Sequence, residues 1–191
     1  MFTELPPRAA WRHKDARDGF ETVFFRRSGG YELEGYAAAV ELGEAWFVQY
    51  AIRVDTRWRT TRARVRGRSR LGEHEVRIAG DGTGHWRVDG APAPELDGCL
   101  DVDLESSACT NAAPVHRLGL AIGARADAPA VYVRALDLRV ERLEQEYLRI
   151  ADDGARRRFD YRSPGFDFAC ELVYDAAGLV LEYPGIATRV L

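Results

Sequence analysis

The sequence predicts an all-β protein: a single domain over residues 1–191, folded as a many-stranded β-barrel, split or curved. Three observations predict it. Apolar residues alternate with a period of two through most of the chain, the pattern of strands with one buried face. Turn residues punctuate those stretches at Gly29-Gly30, Gly80-Asp81-Gly82, Asp89-Gly90, Asp152-Asp153-Gly154 and Ser163-Pro164-Gly165. Finally, a chain of 191 residues buries enough surface to need no disulfide staples. Many short strands with regularly spaced turns read as a barrel or a sandwich.

The strand "WFVQYAIRVD" places Trp46, Val48, Tyr50, Ile52 and Val54 on one face and Phe47, Gln49, Ala51 and Arg53 on the other. "TTRARVRGRSR" is a comb, with Arg62, Arg64, Arg66, Arg68 and Arg70 on one face and Thr61, Ala63, Val65, Gly67 and Ser69 on the other. The arginines are expected outward in solvent, the small residues inward. Side chains that small do not fill a barrel, so a cavity is expected beside them. "CLDVDLE" follows, with Leu100, Val102 and Leu104 opposite an acidic comb of Asp101, Asp103 and Glu105. That comb would neutralise the arginines if the two strands adjoin.

In "ALDLRVERLEQEYLRI" a helix face (Leu136, Val140, Leu143, Tyr147) competes with a strand face (Leu136, Leu138, Val140). The β-rich surroundings favour two strands with a bend near Glu141 to Glu144. "FDFACELVYD" alternates again through Phe166, Phe168, Cys170, Leu172 and Tyr174. "YAIRVDTRW" and "CELVYDAAG" are both alternating strands closed by an aspartate, Asp55 or Asp175, which suggests two β-rich halves related by duplication.

Composition narrows the function classes. Hydrophobic residues make up 46% and charged residues 30% of the chain, as in ordinary globular proteins. The formal charge of −3 argues against a nucleic-acid partner. "MFTELPPRAAW" is not a secretory signal, and no apolar run is long enough for a membrane span, so a cytoplasmic location is expected. Cys99, Cys109 and Cys170 have no metal-type spacing, His13, His74 and His85 are scattered, and no phosphate-binding or dinucleotide motif is present. Neither a metal nor a cofactor is expected.

The alternation stops at "ACTNAAPVHRL". Cys109, His116 and Asn111 are residue types that build a nucleophilic site, but such a site needs mutual alignment that neighbours in sequence do not provide. The bland alternative is a capped turn, with Thr110 or Asn111 satisfying loop amides and Pro114 opening a helical turn. Between the two lies a polar corner at a cavity mouth, where Arg117 would grip a phosphate or a sugar hydroxyl.

"HWRVDG" (85–90), "CLDVDL" (99–104), "CTNAAPVHRL" (109–118), "EQEY" (144–147) and "DAAGLVLEYP" (175–184) occur in this order. Together they resemble the bacterial family described as "putative glycolipid-binding" over nearly the whole chain. The resemblance implies a many-stranded barrel, similar in outline to the half-open barrels of lipoprotein-localisation factors. It also implies a small amphiphilic ligand, a glycolipid or fatty acyl compound, held in an apolar cavity without catalysis. On that reading Trp86, Tyr147 and Tyr161 are candidate walls, and Asn111, His116 and Arg117 the head-group end. Two other classes are a hydrolase acting on a lipid or sugar ester, through Asp103, His116 or Cys109, and a ligand-free protein-interaction barrel.

Overall fold

A computed structural model describes residues 2–191 of the chain. Strands β1 (Arg8–His13), β2 (Asp18–Arg27), β3 (Gly30–Glu41), β4 (Glu44–Asp55), β5 (Thr60–Ser69) and β6 (Gly72–Gly80) form an antiparallel meander, which the short β7 (Trp86–Val88) and β8 (Ala91–Pro92) extend. Later in the chain β9 (Asp101–Leu104), β10 (Arg125–Asp127), β11 (Ala130–Val133) and β12 (Val140–Leu143) precede a second meander. It consists of β13 (Glu146–Asp153), β14 (Arg156–Ser163), β15 (Phe168–Tyr174), β16 (Val180–Tyr183) and β17 (Ala187–Arg189), with β10 along its edge. Antiparallel pairing of β1 with β17, Trp11 opposite Arg189, joins both meanders into one 14-stranded sheet. The sheet curls without closing, with β10 and β8 at its two ends.

The remaining strands, in the order β12-β11-β9, make a small sheet in which β11 runs parallel to β9. A parallel pair needs a long crossover. Here it passes through a 3-10 turn at Cys109–Asn111 and the helix α1 (Ala112–Leu118), which ends at Gly119 in the left-handed conformation, φ 54°. Every residue from Ser106 to Val115 is buried, and none is charged. This segment and the small sheet sit inside the curl as a plug: Val102, Leu104, Val131, Val133 and Leu138 share one core with Val48, Ala63 and Val65.

The alternation of β4 is realised, with Trp46, Val48, Tyr50, Ile52 and Val54 all buried. The arginine comb is also realised, with Arg62, Arg64, Arg66 and Arg68 exposed and Ala63, Val65 and Gly67 buried. Its partners correct the sequence reading. Arg64 and Arg66 share Glu75, Arg68 meets Glu73 and Arg70 meets Glu44. The acidic comb is elsewhere, because β9 is an inner strand buried on both faces. Its carboxylates find donors inside, as buried charges must: Arg117 for Asp101, and Thr110 and Gln145 for Asp103, while the half-buried Glu105 just after the strand meets Arg134 and the Ala135 amide.

The small inward residues also have another use than the one expected. A Cβ on Gly67 would lie 3.2 Å from Leu138 Cδ2, so the space is filled by the chain's own plug. Leu138 reaches it from a turn, at φ 54°, between β11 and β12. The doubtful segment is two strands, β12 and β13, with the break at Glu144-Gln145 and a turn at Ala135–Asp137.

The two stretches that suggested duplication share a loop. Asp55 Oδ1 accepts the amides of Arg57 (2.8 Å) and Arg59 (3.0 Å); Asp175 Oδ1 accepts those of Ala177 (2.9 Å) and Leu179 (2.9 Å). Asp81 does the same with Thr83 (2.7 Å) and His85 (3.2 Å). All three aspartates follow strands that run in the same direction, so the loops gather at one end of the barrel.

Candidate functional site

The inner face of β13–β17 is aromatic, with Tyr147, Phe159, Tyr161 and Tyr174 buried together around Leu172. Alternation on antiparallel strands puts these rings on one side, and the plug rests on them. Tyr147 donates its hydroxyl to Asn111 Oδ1 (2.9 Å), and Tyr174 donates to the Asn111 carbonyl (3.2 Å). Beyond Asn111, at the end opposite the three aspartate loops, the plug stops short and leaves a cavity of about 230 Å³.

Its walls combine rings with buried polar groups. Tyr161, Phe168 and Tyr183 pack with centroids 6.0 to 6.3 Å apart. Asp103, Ser107, Asn111 and Tyr132 face them across the cavity. The more exposed Arg134 and Phe166 mark its mouth. The Arg134 guanidinium lies 5.6 Å from the Tyr132 ring and 5.2 Å from that of Phe166, held by Glu105 (3.0 Å) and Glu141 (2.9 Å). Arg17 reaches the same rim and donates to the Glu105 carbonyl (2.8 Å).

Asp103 accepts Thr110 Oγ1 (2.6 Å) and Gln145 Nε2 (2.5 Å), yet burial outweighs these bonds and lifts its pKa to about 6. Behind Ser107 lies Glu21, fully buried on β2, which accepts Tyr50 Oη (2.6 Å), Ser107 Oγ and the Ala108 amide (2.8 Å). Burial raises its carboxyl as well. The Asn111 carboxamide oxygen is occupied by Tyr147. Among the described residues its Nδ2 donates no hydrogen bond, which leaves an uncommitted donor on a side chain that lines the cavity, and two more lining atoms, Arg17 Nε and Ser163 Oγ, are buried without a hydrogen-bond partner.

The six residues singled out in the sequence do not converge. Asn111 and Tyr161 line the cavity, and Tyr147 stands behind Asn111 and orients it. Arg117 lines neither this cavity nor the cleft described next; its fork is closed on Asp101, at 3.0 and 2.6 Å. His116 is at the opposite end of the barrel. Its Nε2 bonds the Ala177 carbonyl (2.9 Å), its ring stacks on Trp58 (3.8 Å between centroids), and it borders a separate cleft of about 470 Å³ with Phe2, Tyr31 and Arg157. The corner expected from Asn111, His116 and Arg117 is thus divided, because α1 advances about 1.5 Å per residue and carries His116 away from Asn111. Trp86 is a core residue whose Nε1 donates to the Cys99 carbonyl (2.9 Å) and whose ring covers Gly80. Cys109 is fully buried beside Glu21, and burial pushes its thiol well above the ordinary range.

The sequence reading passed over Ser107, Tyr132, Arg17 and Arg134 entirely and did not assign Asp103 to the pocket. One signal was present: ten uncharged residues, Ser106–Val115, directly after the acidic strand, mark a segment buried on all sides. Asp101 and Asp103, on the strand leading into it, are buried as well.

A curled antiparallel sheet wrapped around a plug, with a mixed aromatic and polar cavity open at one end, defines a barrel-like protein with a pocket at that end. The chain belongs to the family described as "Putative glycolipid-binding", whose profile matches residues 8–189. It is similar to a DUF1089 family protein from Pseudomonas aeruginosa, known from a 1.80 Å crystal structure. The two share 33% identity with a TM-score of 0.78, over 89% of this chain and 92% of that one. It also resembles in fold a β-barrel-like protein of the domain of unknown function DUF1849 from Brucella abortus, at 10% identity and a TM-score of 0.53, over 99% and 96% of the two chains. No curated protein matches. Among the described residues no helix is long and apolar enough to cross a membrane.

Proposed function

We propose that the protein binds an amphiphile with a sugar head group, without catalysis, and that the head enters the cavity while the acyl part lies toward the Phe166 mouth. The observation that carries this reading is the uncommitted Asn111 amide, fixed by Tyr147 among the rings of Tyr161, Phe168 and Tyr183. A sugar ring presents apolar faces and a belt of hydroxyls. Aromatic walls with a few fixed polar groups suit both. Asp103, Ser107 and Asn111 supply acceptors and a donor, and Arg134 a charged rim. Size supports the head rather than the tail as the buried part. A cavity of about 230 Å³ lies below the usual span of ligand pockets, roughly 300–1,000 Å³. It suits one ring, not a ring and a long chain.

The test is a titration with octyl β-D-glucoside below its micelle concentration, and with octanol, followed by NMR of side-chain amides. Glucoside is expected to shift the Asn111 amide protons. Asn111→Asp keeps the acceptor for Tyr147 and removes the donor. It should weaken glucoside binding about tenfold while changing octanol binding little, as expected for one lost hydrogen bond to a ligand. Equal binding of both probes, or glucoside binding indifferent to Asn111→Asp and to Tyr161→Ala, would count against the reading.

A further inference from the structure

The outer face of the sheet carries a second feature, away from the cavity. Cross-strand register sets Phe20 beside Ala38 and Ala38 beside Phe47, with Tyr36 in the next outward row and Phe24, opposite Glu34, in the row beyond. Phe20, Phe24, Tyr36 and Phe47 are 41–47% exposed where a solvated face normally carries polar side chains. The patch runs on to the tip of the β3–β4 hairpin, where Leu42 is 99% exposed. Leu42 and Gly43 form a two-residue turn with φ of 50° and 80°. Turns of this kind favour Asn, Asp or Gly at both positions. A leucine there strains the backbone and exposes an apolar side chain, and folding gains nothing from either.

Cations flank this patch on both sides. Arg8 and Arg12 on β1 stand beside Phe24 and Phe20, and Arg64 and Arg68 on β5 beside Ala51 and Phe47. Neither β1 nor β5 contains a carboxylate, in a chain whose net charge is −3. Glu73 and Glu75 answer part of the β5 row, but among the described residues Arg8, Arg12 and Arg62 make no ion pair. A largely apolar centre, interrupted by Glu34, which accepts the Tyr36 hydroxyl, with arginines along both margins, matches a bilayer surface. Phenyl and leucyl groups enter the acyl boundary while guanidinium groups reach the phosphates at the margins. A second copy offering the same face would oppose arginine rows with like charge.

We infer that the outer face of β2–β4, with Leu42 at its tip and the arginines of β1 and β5 at its margins, docks on a bilayer containing anionic lipid. The test is flotation of the full chain with phosphatidylcholine vesicles, with and without about a third phosphatidylglycerol. Binding should require the anionic lipid and fall steeply with added salt. Leu42→Ser with Phe47→Ser, and separately Arg12→Gln with Arg68→Gln, should each lower vesicle partitioning at least tenfold at unchanged circular dichroism. Arg139→Gln, exposed elsewhere, should not lower it. Failure to float with either vesicle overturns the inference, as does equal binding by all variants. If Phe47→Ser instead converts a dimer to a monomer in sedimentation, or abolishes binding of a single-stranded oligonucleotide, with no vesicle binding in either case, the face belongs to a second copy or to a nucleic acid and the inference is overturned.

Discussion

At the residue scale, the packing of Tyr50 shows how single side chains tie the wall to the plug. Tyr50 lies opposite Gly35, and its ring crosses the place where a Cβ on Gly35 would stand, 2.0 Å from Cζ. That position lets its hydroxyl reach Glu21 and Ser107. Gly35→Ala should therefore push Tyr50 off Glu21 and leave a buried carboxylate short of a donor, a loss of about 2–4 kcal/mol in denaturant unfolding. Tyr50→Phe keeps the ring and removes only the hydroxyl, so it should cost less, about 1–2 kcal/mol. The sequence made the inward direction of Tyr50 legible through its alternation. The partner at Glu21 was not legible, because an acid on a strand ordinarily faces water, and only the plug, entering from 86 residues further along the chain, supplies the reason it faces in.

At the scale of elements, the outer sheet was more legible than what it encloses. Period-two alternation in β4 and β5 arises from one wet and one dry face, so inward and outward positions can be read from the residue order alone. β9 has no wet face, and its Asp101 and Asp103 mimic the pattern of a surface strand. The expected empty interior failed for a related reason: small residues signal space, and do not say what fills it. The fit between Gly67 and Leu138 makes this testable. Leu138→Ala should leave a void and cost about 2–5 kcal/mol. Gly67→Val should overpack the same place and cost about 1–3 kcal/mol. The double variant should lose clearly less than the sum, since the added side chain occupies the vacated space. Additive losses, measured by urea unfolding, would mean that the two positions do not share one volume.

At the scale of the whole molecule, burial sets opposing proton equilibria at the two ends of the barrel. Near the aspartate loops His116 is buried against Trp58 and Ala177, which lowers its pKa to about 4. The unfolded chain then binds a proton between about pH 6.5 and 4 that the folded chain refuses, so the contribution of His116 to stability is lost as pH falls through that window. At the cavity end Asp103 has the opposite sense. Its pKa of about 6 means the folded chain keeps a proton that the unfolded chain releases from about pH 4 upward, so its contribution falls as pH rises to 6 and is constant above. Each shift amounts to about 3 kcal/mol across its window. Urea unfolding of the wild type, His116→Gln and Asp103→Asn at pH 4, 5, 6 and 7 separates the two. Relative to wild type, Asp103→Asn should gain stability as pH rises from 4 to 6. His116→Gln should instead lose stability relative to wild type from pH 4 to 6.5, whatever constant offset each substitution brings. Two variants whose offsets do not change with pH would show that neither group is buried in the protonation state its surroundings impose. A sugar hydroxyl entering the cavity adds a further check on the Asp103 end, since a donor to its carboxylate favours the charged form and should draw that pKa down toward the ordinary carboxylate range.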